Sequence, residues 1–128
     1  LQSDILIEQG ATFWKIFEAQ DAPEDDWRAA INLPPAADCT ARGKVRDGSK
    51  NLIATFSASV ADRQVPTDDP LVFLNGWTVN IFLNAETTAA VVTPVAGGKY
   101  DVEVEVTATG VVYRVAEGKV KVSPEQTY

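Results

Sequence analysis

Three carboxylates, Asp101, Glu103 and Glu105, recur at every second position of one segment. On an extended chain they share one face, with neighbouring Cα atoms about 7 Å apart, and paired carboxylates can carry out glycoside hydrolysis. The same alternation also describes the wet face of an antiparallel sheet, with Arg42, Lys44, Arg46, Lys119 and Lys121 available as cross-strand partners. The structural role is the stronger reading. Two acidic runs, Asp21-Ala22-Pro23-Glu24-Asp25-Asp26 and Asp68-Asp69, could offer oxygens to a hard cation. Neither has the D-x-[DN]-x-[DN]-G spacing that wraps a loop around an ion, so both read as solvated loops. The chain has no histidine and one cysteine, Cys39. A Cys–His nucleophile, a Ser–His triad and a cysteine zinc site are therefore excluded. Cys39 reads as a small hydrophobe on the apolar face of a strand. Gly97-Gly98 lacks the following Lys-Ser/Thr of a phosphate loop. No catalytic residue, metal site or cofactor is expected, and the chain does not read as an enzyme.

The elements that hold these residues come from periodicity. From 99 to 107, Tyr100, Val102, Val104 and Val106 alternate with polar residues, the period of a half-buried strand. Ala108-Thr109-Gly110 turns the chain into 111–116, giving a hairpin. Glu117-Gly118 reads as an interruption, and 119–123 as a last strand ended by Pro124, which cannot donate to a ladder. A second hairpin runs from 39–46 through the turn Asp47-Gly48-Ser49-Lys50 to one strand over 52–60. Trp77, Val79, Ile81 and Leu83 face one way from a further strand, and 4–8 and 11–17 are strand-like. Asn84 is a good N-cap for one short helical turn over 84–90. The expectation is an all-β, immunoglobulin-like antiparallel β-sandwich of about seven strands, with residues 1–128 as a single domain.

At 128 residues and 45% apolar, the chain can bury about two-thirds of its unfolded surface in one core. Its net charge of −7 repels phosphate backbones, so no nucleic-acid partner is expected. The N-terminal residues lack the basic region and apolar core of a signal peptide. No stretch approaches the roughly 20 apolar residues of a membrane span, so no membrane partner is expected and synthesis in a cytoplasm fits. The aromatics carry more information. Phe13-Trp14-Lys15-Ile16-Phe17 puts large apolar groups on both faces of a strand, and Phe82 points away from Trp77, Val79 and Ile81. One face can enter the core, while the other needs a cover. Phe13, Trp14, Phe17, Phe82 and the loop residue Trp27 are thus the candidates for a protein interface, unless the proline-rich 21–35 loop covers them.

Several short motifs also carry a resemblance. Ile7-Glu8-Gln9-Gly10-Ala11-Thr12-Phe13 resembles the "x-QG-x-T-F" opening of small immunoglobulin-like domains in tailed-phage baseplate and tail-fibre proteins. Thr87-Thr88, Gly98-Lys99-Tyr100-Asp101-Val102 and Gly118-Lys119-Val120-Lys121-Val122-Ser123-Pro124 with Thr127 resemble that family's threonine-led turn and its last strands. The family's "D-L-T-G" segment is replaced here by Asn32-Leu33-Pro34-Pro35-Ala36-Ala37-Asp38. The resemblance implies a structural virion component, made in a host cytoplasm, that docks a fibre or neighbouring tail protein. Its partners would be other phage structural proteins and copies of itself, as a homotrimer or hexamer. A capsid decoration (cement) protein is the alternative. A carbohydrate-binding module stacking sugars on Trp14, Trp27 or Trp77 is a more distant one, in which Trp14 and Trp77 read as core-like and Trp27 as free.

Overall fold

The alternating segments become eight strands: β1 (Ile5–Glu8), β2 (Phe13–Glu18), β3 (Cys39–Arg46), β4 (Leu52–Thr55), β5 (Ser57–Pro66), β6 (Phe73–Leu83), β7 (Lys99–Val106) and β8 (Val111–Ser123). A 3-10 turn spans Ala36–Asp38, and one short helix, α1, spans Ala85–Ala89. The structure is a computed structural model and describes residues 2–18, 33–66, 69–91 and 97–124. The strands form a five-stranded sheet in the order β1-β8-β7-β3-β4 and a three-stranded sheet in the order β2-β6-β5. β1 runs parallel to β8, and every other pairing is antiparallel. This is a β-sandwich with an immunoglobulin-like strand order: the second, sixth and fifth strands on one side, and the third, seventh and eighth at the centre of the other.

The inner faces meet in one core. β6 contributes Trp77, Val79, Ile81 and Leu83, and β7 contributes Tyr100, Val102, Val104 and Val106, all buried as their alternation requires. Each such side chain contributes about 1.5–3 kcal/mol by leaving water. Phe56 bridges the layers, with its ring 5.9 Å from that of Phe13 and 6.2 Å from that of Tyr100. It sits over Gly43, where a Cβ would stand 3.0 Å from the Phe56 ring and 2.9 Å from the Asp101 carbonyl oxygen. The helical turn is capped as expected: Asn84 Oδ1 accepts the Thr87 amide at 2.8 Å. The buried Thr88 hydroxyl donates to the carbonyl of Ala11 at 2.7 Å, fixing the turn to the approach to β2.

Two boundaries differ from the periodicity. The 52–60 run is two strands: β4 pairs with β3, and from Ser57 onward the chain pairs with β6 in the opposite sheet. Both inner faces look into the same core, so the chain changes sheet at Phe56 without changing the phase of its alternation. Conversely, 111–123 is one continuous strand, not two. A bulge between Val102 and Glu103 in the β7–β8 register leaves Val115 as an extra residue, and Val115 and Ala116 are both buried. That phase slip imitates a break. Gly118 lies within the strand, where the segment leading into β1 passes against it: a Cβ there would lie 2.2 Å from the Ser3 carbonyl oxygen.

Candidate functional site

The three-stranded sheet has an inner face fixed by Phe17, Trp77, Val79 and Ile81, so its outer face is fixed by default. β2 is the edge of that sheet, and its register places Trp14 opposite Phe82 and Ile16 opposite Asn80. Trp14 is 62% exposed, Ile16 44% and Phe82 37%. On the far side, Phe82 faces Ser57 and Asn80 faces Ser59, both small and exposed on β5. The result is an apolar row on a sheet face, with β2 as the edge strand among the described residues. Asn80 lies in its middle, and its Oδ1 is shut from solvent with no hydrogen-bond partner among the described residues. A buried acceptor left unsatisfied is unusual enough to need a reason.

The five aromatic candidates separate. Trp14 and Phe82 belong to this outer face. Phe17 is corrected to the core: it is 3% exposed, and its ring stacks on Tyr100 at 6.4 Å. Phe13 is half-buried and packs inward against Phe56, because odd positions of β2 face the other sheet. Trp27 lies outside the described residues, as does the acidic 21–26 run. Trp14, an interface candidate that read as core-like only against the sugar-binding alternative, is the most exposed aromatic ring described, whereas Trp77 is fully buried. Periodicity could say that Trp14 and Phe13 point apart, but not which of them points inward. Ile16 follows from the same alternation and joins the row. A second exposed apolar group, Leu71, Val72 and Phe73, lies at the opposite end of β6.

The charged residues of the other sheet arrange themselves by register. Arg42 on β3 and Arg114 on β8 flank Glu103 on β7, at 3.2 and 2.9 Å. Arg42 also reaches Glu105 at 3.5 Å, and Arg114 reaches Glu117 at 3.0 Å. Partial burial works against the charged form of Glu103, but the hydrogen bonds from Arg114 and Arg42 outweigh it and hold the carboxyl below its ordinary value. Two arginines thus occupy the central carboxylate of the Asp101, Glu103, Glu105 series, which serves the cross-strand network. Arg114 was not foreseen as a partner, because the bulge that brings it opposite Glu103 has no sequence signal. Cys39 is half-buried, and its thiol donates to the Pro35 carbonyl at 3.4 Å. Burial first, then the carboxylates of Asp38 and Asp62, push that thiol up from its ordinary value, away from the reactive thiolate. Among the described residues, no helix is long and apolar enough to cross a membrane. In comparisons with known proteins, no family model matches the chain, and no curated protein matches it significantly.

Proposed function

We propose that the chain is a structural component of a tailed-phage virion, an adaptor module of the tail or baseplate that docks a neighbouring protein over the outer face of its three-stranded sheet. The observation that carries this reading is the Trp14–Phe82–Ile16 row across β2 and β6, with the Asn80 oxygen, unpartnered among the described residues, beside it. A partner lying across the face would cover the rings and could supply a donor to the Asn80 oxygen. Among the described residues no strand lies beyond β2 in its sheet, so an added strand is a natural mode of contact. Its partners would be tail proteins and further copies of the chain around the tail axis, in a homotrimer or hexamer. The short motifs that resemble phage immunoglobulin-like domains supply the virion part of the proposal, and the apolar face supplies the docking part.

Mass spectrometry and antibody labelling of purified particles test it. The chain should be present at a few to tens of copies, at the tail. Hundreds of copies on the head would support a capsid cement protein instead, and absence from particles overturns both. The exposed Trp14 also favours a second reading, sugar stacking on the same face. That reading expects quenching of tryptophan fluorescence by glycans, and a flat response across a broad panel removes it.

A further inference from the structure

Six of the chain's eleven basic residues, Lys44, Arg46, Lys50, Lys99, Arg114 and Lys119, line one concavity of about 500 Å³ at an end of the five-stranded sheet. Three carboxylates, Asp47, Asp101 and Glu117, share the lining, so the concavity is net positive in a chain of net charge −7. Two of the three are engaged. Asp47 accepts the amides of Ser49 and Asn51 within its own turn, each at 2.9 Å, and Glu117 is paired with Arg114. The register then does something unusual. Arg46 on β3 is directly opposite Lys99 on β7, which is directly opposite Lys119 on β8.

These three basic residues sit in line on three adjacent strands, whose backbones lie about 4.8 Å apart. Like charges placed directly opposite are destabilising in a sheet. The adjacent rows of the same face show the ordinary solution: Lys44 faces Asp101, and Arg42 faces Glu103. In the cationic row, neither Arg46, Lys99 nor Lys119 makes an ion pair among the described residues. The nearby Asp4 carboxylate is turned to the Lys119 backbone amide, at 3.0 Å. From the concavity and the uncompensated row together, we infer that this end of the sheet binds a compact ligand carrying two or more oxyanion groups, phosphoryl or carboxylate. Lysine ammonium groups serve such a ligand as point charges, and Arg46 adds a planar fork. The ligand is compact, not an extended polyanion, because the protein's overall negative field repels a long phosphate chain beyond the pocket. The site is separate from the apolar face of the other sheet, and it stands whether or not that face docks a partner.

Inorganic pyrophosphate and citrate, each against sodium chloride at matched ionic strength, are the probes, read by thermal unfolding and by amide chemical shifts. Pyrophosphate should raise Tm by about 4 °C or more at saturation and move the amides of Arg46, Lys99 and Lys119. An equal effect of citrate means that the site takes oxyanions generally, and none from citrate means that it takes phosphoryl groups. Lys99→Gln and Lys119→Gln should each weaken pyrophosphate binding about tenfold, while Lys121→Gln, on β8 outside the concavity, should not. Without any ligand, Lys99→Gln should raise Tm at low salt, because it removes the central charge of the row. No response to either anion overturns the inference, as does a response that both lysine variants leave intact.

Discussion

The indole N–H of Trp77 donates to the carbonyl of Pro34 at 2.8 Å, so the largest fully buried side chain is also tied to the chain just before β3. Asn75 reinforces the tie by donating to the same carbonyl at 3.2 Å and to that of Leu33 at 3.0 Å. Trp77→Phe keeps most of the ring, including its edge contact with Tyr113 at 5.4 Å, but loses the donor. It should cost about 1–2 kcal/mol in urea unfolding. Trp77→Ala adds a cavity and should cost about 3–5 kcal/mol.

Gly118 tests the attachment of β1. A Cβ there meets backbone, not the end of a mobile side chain, so Ser3 and the start of β1 must move away. Gly118→Ala should destabilise by about 1–3 kcal/mol. In hydrogen exchange, the loss should concentrate in the β1–β8 ladder around Ile5 and Ile7. Uniformly faster exchange across both sheets would instead mean that the strand's attachment and the global fold are one event.

The two faces of β2 should respond oppositely. Trp14→Ser, on the exposed face, should change stability by no more than about 0.5 kcal/mol and, under the proposed docking role, weaken incorporation into particles. Phe17→Ser removes a buried ring and should cost more than about 3 kcal/mol. If Trp14→Ser unfolds the isolated domain, the ring is structural and the docking face is lost with it.

Tyr100 makes a prediction about alkali. Burial pushes its phenol up to about 12 from an ordinary 10.0; the Ser3 side chain works the other way, and the Asp4 and Glu117 carboxylates add to the rise. The folded form therefore holds the proton more tightly than the unfolded chain. This contribution is complete below pH 10 and is lost as pH rises from 10 toward 12. Denaturant midpoints taken across that window should fall more steeply for the natural protein than for Tyr100→Phe.

Alternation revealed the inward faces of β3, β6 and β7 because each keeps a strict period of two against a single core. The helical turn was legible for a local reason, the side chain of Asn84. What escaped was long-range. The split of β4 from β5 leaves no mark, since a chain may exchange one sheet for the other while Ala54 and Phe56 still point to the same interior. The facing of Arg46, Lys99 and Lys119 depends on how three strands slide past one another. Nothing within any one of those strands encodes that. Trp14 could not be told from Phe13 and Phe17 as an interface residue because both faces of β2 are apolar, and only the packing of the second sheet decides which face is inside.

The passage of the chain through Phe56 has a mechanical meaning. Because 52–66 is shared by the two sheets, a pull on either layer reaches the other through covalent bonds and does not rely on side-chain friction alone. The layers cannot shear apart until Phe56 is drawn off Gly43, whose carbonyl accepts the Phe56 amide at 2.9 Å. A module stitched in this way should bear load as one body and give way in a single step. Under an optical trap, it should show one rip with no half-opened plateau.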